Sequence, residues 1–272
     1  MKSKIVVTIG GGTGTPIINE ALIYAGIKNI KSIVSVMDSG GTTGRMRTDS
    51  KGEEIAYSDA LRTMLSFIDP KDRNKSSAKN LTKMLRKRNE RGQDLGYTIF
   101  SHLYDKTIGF NNVKELLTGL TGLNLRGEVL PITSESTNLK FQTLSGKIYT
   151  GEHELDDKRM SKDIVDKIWL DPKVNIFYQS AELIKHADLI IFACGSLHGS
   201  ILVNFLPDGM KEAYKQSRAK KVLVTNLAST RNETHNYKPV DFVNIFRKYS
   251  DLEKPIDAII VPDMSRSLFE RK

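Results

Sequence analysis

Ile5-Val6-Val7-Thr8-Ile9-Gly10-Gly11-Gly12-Thr13-Gly14-Thr15-Pro16 is the stretch whose reading decides the fold. Its first five residues form a nearly all-apolar run of strand length, the pattern of a strand buried on both faces. The glycines that follow permit positive φ and let backbone N–H groups face an incoming anion. Pro16 suits the first turn of a helix, where its missing N–H costs nothing, and the helix dipole adds attraction for phosphate. Strand, glycine turn and helix together open a βαβ unit. The loop is not a P-loop, because no Gly-Lys-Ser/Thr follows it. It also departs from G-x-G-x-x-G, since Thr15 stands at the third glycine position, and this weakens a reading as an NAD(P)-dependent oxidoreductase. The bland alternative is a tight turn without a ligand. Against it stands the extra backbone entropy that four glycines in five positions lose on folding.

The same alternation continues along the chain. Strands are expected at Ile5–Ile9, Ser32–Met37, Val174–Phe177, Leu189–Ala193, Val222–Thr225 and Ala258–Val261. Helices are expected at Pro16–Ala25, Ile55–Ile68, Ala78–Arg88, Leu95–Lys106, Val113–Leu120, Tyr178–His186, Gly209–Ser217 and Val240–Tyr249. Residues 128–152 look different: extended stretches joined by the turn Leu144-Ser145-Gly146-Lys147 read as an antiparallel excursion. The fold class that follows is α/β, a Rossmann-like, doubly wound, mostly parallel sheet with helices on both faces and a small antiparallel β excursion. Residues 1–272 read as a single domain.

Two further loops end strands in small and polar residues. The first is Asp38-Ser39-Gly40-Gly41-Thr42-Thr43-Gly44-Arg45-Met46-Arg47. Asp38 stands where a dinucleotide fold holds a ribose hydroxyl. Alternatively Ser39, Thr42, Thr43, the glycine backbone and Arg45 or Arg47 hold a phosphate. The second is Cys194-Gly195-Ser196-Leu197-His198-Gly199-Ser200, with Ser196 and Ser200 at the carboxyl edge of the sheet, where ligands of open α/β sheets bind. Asn226 ends a later strand, ahead of Glu233-Thr234. The candidate ligand-binding residues are therefore Gly11, Gly12, Thr13, Gly14, Asp38, Ser39, Gly40, Gly41, Thr42, Arg45, Gly195, Ser196, Ser200 and Asn226.

These loops resemble the YvcK/CofD family. The likeness rests on GGGTG, on D-x-G-G-x-x-G-R-x-R, on Gly127-Glu128-Val129-Leu130-Pro131-Ile132-Thr133, on Gly151-Glu152, on Gly195-Ser196-Leu197 with Ser200-Ile201, and on Asn226 with Glu233-Thr234. It runs over nearly the whole chain. It implies a gluconeogenesis factor of the YvcK branch that binds UDP-sugars of the UDP-N-acetylglucosamine class, or another nucleotide diphosphate. Such a protein acts in control of carbon metabolism, cell-wall precursor supply and cell shape. The alternative it implies is a 2-phospho-L-lactate transferase-type enzyme, in which Asp38 and Asp59 would be catalytic and could share a Mg²⁺ with substrate phosphates. The sequence departs from the family where Ser39 replaces a second aspartate, where Tyr57-Ser58 precede Asp59 in place of Pro-Gly, and where Gln93, Tyr97 and Cys194 stand for His, Asn and Pro. With Ser39 replacing an acid, no metal is assigned. Asp59 has a plain alternative, capping a helix or pairing with Arg62.

Composition bounds the rest. The 272 residues are 39% apolar and 27% charged, which excludes a disordered or collagenous chain. No apolar run reaches the roughly 18 residues of a membrane span. The apolar start breaks at glycine too early for a signal peptide. The single cysteine fits a reducing, cytoplasmic setting. Lys and Arg number 41 against 32 acids, but residues 71–91 alone hold nine basic and two acidic residues, seven of the nine net positive charges. Lys79, Lys83, Arg86 and Lys87 recur at helical spacing opposite Leu81, Met84 and Leu85. Without an aromatic residue in that stretch, nucleic acid is not the expected partner, and a phosphorylated ligand or acidic partner fits better. The five histidines lack zinc spacing, and His198 alone, beside Ser196, is worth testing. A homo-oligomer stays open.

Overall fold

The computed structural model describes residues 4–40, 43, 44, 47, 55–90, 94–156, 163–230 and 232–262. Six strands form one sheet in the order β3-β2-β1-β7-β8-β9. They are β1 (Val6–Gly10), β2 (Ile30–Val34), β3 (Gly127–Pro131), β7 (Leu189–Phe192), β8 (Lys220–Val224) and β9 (Ala258–Ile260). Every pairing within this sheet is parallel. The central strand β1 is buried along its whole length, so both faces of the sheet are covered. Among the described residues, eight α-helices connect or flank the strands: α1 (Gly14–Tyr24), α2 (Ser58–Ser66), α3 (Ser76–Leu85), α4 (Leu95–Leu103), α5 (Asn111–Thr121), α6 (Tyr178–His186), α7 (Met210–Gln216) and α8 (Pro239–Ser250). Among the described residues, no helix is long and apolar enough to cross a membrane.

From β1 the chain winds outward to β2 and β3, then returns to place β7 on the other side of β1. That reversal between β1 and β7 is a switch point, and the carboxyl ends of the two strands frame a crevice. A buried polar network ties together the elements around the crevice. The Thr8 hydroxyl donates to Asn19 Oδ1 at 2.8 Å, and Asn19 Nδ2 donates to the Ser32 and Ser66 hydroxyls at 2.9 and 3.2 Å. One polar residue each from β1, α1, β2 and α2 is thereby satisfied, as burial demands. Behind β7, the Phe192 ring meets Phe205 at 5.5 Å and Phe246 at 5.0 Å, fixing the turn that follows the strand.

The second sheet is antiparallel, in the order β5-β4-β6, with β4 (Asn138–Thr143), β5 (Ile148–Thr150) and β6 (Val165–Asp171). The expected turn at 144–147 joins β4 to β5, with Gly146 at φ +86°. Two expectations are corrected here. The expected excursion at 128–152 takes in most of β3, which is instead the parallel edge strand of the main sheet; the antiparallel sheet draws its third strand from 165–171. Val174–Phe177 joins neither sheet. Val174 and Phe177 are buried, but the backbone partners of the segment are loop residues: Ile176 N–H donates to Asp208 and Phe177 N–H to Ile132, both at 2.8 Å. An apolar run reports burial, not the partner that satisfies its backbone. β6 escapes the alternation rule because the register shifts between Gln142 and Thr143, leaving Asp166 and Lys167 both exposed.

Gly14 lies where α1 meets β7. A Cβ there would stand 1.6 Å from the Cys194 carbonyl oxygen, a backbone atom that cannot rotate away. Gly14→Ala should therefore lower unfolding free energy by about 2 kcal/mol or more, read by urea denaturation. Gly119→Ala in α5, where nothing lies within 4 Å, should instead raise it by about 0.5–1 kcal/mol.

Candidate functional site

The crevice at the switch point holds a cavity of about 520 Å³. Gly12 enters it from the β1–α1 loop, Asp38 and Gly40 from the loop after β2, Asp59 and Arg62 from α2, and Ser200 from the turn after β7. Gly12 needs its glycine, since its φ is +63°. Its N–H does not face empty space: it donates to Asp59 Oδ2 at 2.7 Å. The protein's own carboxylate thus sits on the glycine loop. Arg62 Nη1 donates to the other oxygen, Asp59 Oδ1, at 3.0 Å. Tyr57, packed edge-on against Tyr97 at 5.1 Å, fixes the start of α2 and so the approach of Asp59.

Asp59 is buried and its pKa is raised to about 6. Desolvation is the main cause and the neighbouring Asp38 adds to it, against the opposing pull of Arg62 and the Gly12 N–H. Asp38 is half-buried, and its Oδ1 accepts the Gly40 N–H at 2.8 Å. Both Asp59 oxygens and one oxygen of Asp38 are therefore engaged. No group of three His, Cys, Asp or Glu among the described residues is placed to hold a metal ion. A Mg²⁺ here would therefore take most of its ligands from substrate phosphates and water, with Asp38 and Asp59 as its carboxylates.

The remaining expected residues separate. Gly11 is buried beneath the cavity, a Cβ on it falling 2.8 Å from Asp59 Oδ2. Thr13 turns outward to a different groove, and Gly14 is occupied by packing against Cys194. The Ser39 hydroxyl lies 3.0 Å from His153 Nδ1. Gly195 and Asn226 belong to a second cavity of about 540 Å³, with Asn226 Nδ2 donating to the Gly195 carbonyl at 2.7 Å. Ser196 donates to Glu233 Oε1 at 2.9 Å and caps the following turn by accepting the Gly199 N–H. Gly41, Thr42 and Arg45 lie outside the described residues. Arg47 is buried and donates to the carbonyls of Asp38 and Thr137 at 3.2 and 2.7 Å, so it buttresses the loop.

Sequence reasoning missed Arg88, Asp94, Glu152 and His153 as cavity residues. His153 follows a Gly-Glu turn, and that turn was the available signal. His198, the histidine singled out, is instead buried with its Nδ1 3.1 Å from Glu233 Oε1. Its Nε2 has no hydrogen-bond partner among the described residues. Burial works to raise the Glu233 carboxyl, but hydrogen bonds from His198 and Ser196 outweigh it and the pKa is lowered. Cys194 is half-buried, and burial pushes its thiol up, away from nucleophilic use.

A doubly wound fold with a glycine loop and a polar crevice at its switch point places that crevice where open α/β sheets bind their ligands. Comparison with known proteins narrows this. The family model described as 2-phospho-L-lactate transferase CofD matches residues 6–272, and the chain belongs to the CofD family. Its relatives include a putative gluconeogenesis factor of Aquifex aeolicus, 34% identical over 96% of this chain and 78% of the relative. The gluconeogenesis factor of Halalkalibacterium halodurans is 31% identical over 89% of this chain and 72% of the relative. A crystal structure of a UPF0052 family member from Bacillus halodurans superposes with a TM-score of 0.80 at 26% identity, covering 100% of this chain and 86% of that one. The likeness to gluconeogenesis factors suggested by the loop motifs is thus found over nearly the full chain.

Because Asp59 binds its proton more tightly folded than unfolded, ionising it costs stability. That contribution is fullest below the ordinary carboxyl pKa of 3.8 and is lost as pH rises toward about 6. Asp59→Asn should therefore gain about 1–3 kcal/mol relative to wild type between pH 4 and pH 7, measured by urea unfolding. A difference that stays constant with pH would contradict the assignment.

Proposed function

We propose that this protein binds a nucleotide sugar of the UDP-N-acetylglucosamine class and acts as a gluconeogenesis factor in control of carbon metabolism and cell-wall precursor supply. The observation that carries the reading is the pair of cavities on either side of the turn after β7. The first offers Arg62 and Arg88 to phosphates, and Asp38, Asp94 and Glu152 as acceptors for sugar hydroxyls. The second offers the apolar Leu197, Ile201 and Phe242 with Asn226, Asn236 and Tyr237, a setting suited to a base and ribose. The names of the relatives support the metabolic role, and the lone Cys194 supports a cytoplasmic location.

A second reading, a phospholactate transferase-type enzyme, is favoured by Asp59 itself. A buried carboxyl with a pKa of about 6 facing a cavity has the proton affinity of a general base near neutral pH. In that case Asp59 would take the proton of an attacking hydroxyl as it bonds to the phospholactyl phosphorus, the phosphoanhydride of the donor would break to release a nucleoside monophosphate, and Arg62 and Arg88 would neutralise the phosphates.

Thermal unfolding with UDP-N-acetylglucosamine, GDP and NAD separates the readings. The UDP-sugar should raise Tm by about 5 °C at a hundredfold excess over Kd, with little effect of NAD. No shift with any nucleotide would sink the binding proposal. Turnover of a GDP-linked donor, lost by about a hundredfold or more in Asp59→Asn, would establish the enzyme instead.

A further inference from the structure

The excess positive charge of residues 71–91 is not spread evenly. Arg73 pairs with Glu20 at 2.8 Å and Lys75 with Asp72 at 2.6 Å. The side chains of Lys79, Lys83 and Arg86 are exposed and have neither an acidic nor a hydrogen-bonding partner among the described residues. Lys79 and Lys83 lie one turn apart on α3, Arg86 caps its C-terminal end, and the three line a groove of about 590 Å³ between α1, α2 and α3. Pro16, Leu65 and Ala78 contribute its apolar lining, so the cations border a concavity, not a convex helix face. Leu81 and Leu85 are buried as expected, whereas Met84 is left outside at 42% exposure.

Helix electrostatics accounts for only part of this pattern. Cations in the last turn favour the helix dipole, which suits Lys83 and Arg86. Lys79 stands near the positive N-terminal end, where no acidic residue offsets it. Like charges three and four residues apart also repel one another. An anion in the groove removes both penalties. Lys79 to Arg86 spans seven residues, about 10 Å of helix, so the matching ligand carries several phosphates in a row. Among the described residues, the groove has no aromatic side chain on which a base could stack.

We infer that this groove is a second anion site, which takes the polyphosphate group of a small phosphorylated metabolite. The groove meets the main cavity at Arg62, which lines both, while Thr13 of the glycine loop lines the groove and Gly12 the cavity. A polyphosphate that draws Arg62 toward α3 takes a cation away from Asp59 and raises the proton affinity of that carboxyl. The two sites are coupled through one side chain. The coupling rests on the nucleotide-binding reading of the cavity; the groove does not.

Calorimetric titration with sodium tripolyphosphate tests the site, with orthophosphate and a short single-stranded RNA as further probes. Tripolyphosphate should bind the wild type more tightly than orthophosphate does. The triple variant K79Q/K83Q/R86Q should bind it at least about tenfold more weakly, with a melting temperature no lower than that of the wild type. Undiminished binding by the triple variant would overturn the proposal and place the anion elsewhere. Equal affinity for orthophosphate would overturn the multi-phosphate assignment. RNA binding tighter than tripolyphosphate through the same three residues would replace a small ligand with nucleic acid. UDP-N-acetylglucosamine enters only as a competitor: if it fails to bind at all, the nucleotide reading falls while the groove result still stands.

Discussion

The hydrogen bond from the Gly12 N–H to the Asp59 carboxylate ties together the parts on which the site depends. It joins the loop after β1 to the first turn of α2, two segments 47 residues apart in the chain. Beneath it, Thr8, Asn19, Ser32 and Ser66 lock the same elements through buried hydroxyl and amide groups. Around it, Arg62 and Asp38 set the charge that Asp59 experiences. A carboxylate on a helix-entry glycine loop satisfies a donor that would otherwise be aimed at ligand. An incoming phosphate would therefore meet a loop already holding negative charge, and would have to move Asp59 or find the carboxyl protonated.

Much of the fold was legible because its strands are buried on both faces and its turns carry glycine. β1, β7, β8 and β9 lie within a residue or two of their apolar runs, and α6 spans Tyr178–His186 as its periodicity requires. What escaped was partner choice. The backbone of 127–131 reads as extended in any sheet, and only the tertiary register with β2 makes it parallel. The buried network escaped for a related reason: a single Thr, Asn or Ser inside an apolar pattern looks like an imperfection until the four meet.

The site was legible at its glycine loops and less so at its charged rim. Gly12, Asp38, Gly40, Asp59 and Ser200 converge as their positions at strand and helix ends suggest. Arg88, Asp94, Glu152 and His153 arrive from segments that carry no strand-end signal. Gly195 and Asn226 fall across the turn after β7, in the neighbouring cavity. The basic stretch changes meaning once folded: some of its cations are neutralised by pairing, Arg88 reaches the main cavity, and Lys79, Lys83 and Arg86 line a groove that meets that cavity at Arg62.

The amide resonance of Gly12, followed by ¹H–¹⁵N NMR through a pH titration, tests this account most directly. If Asp59 sits on that N–H, the resonance moves with a midpoint at about pH 6, and the midpoint falls toward the ordinary carboxyl value when Asp38 is replaced by Asn. A Gly12 amide that does not titrate between pH 4 and 8 would show that the carboxylate is not on the loop, and the site built around it would have to be redrawn.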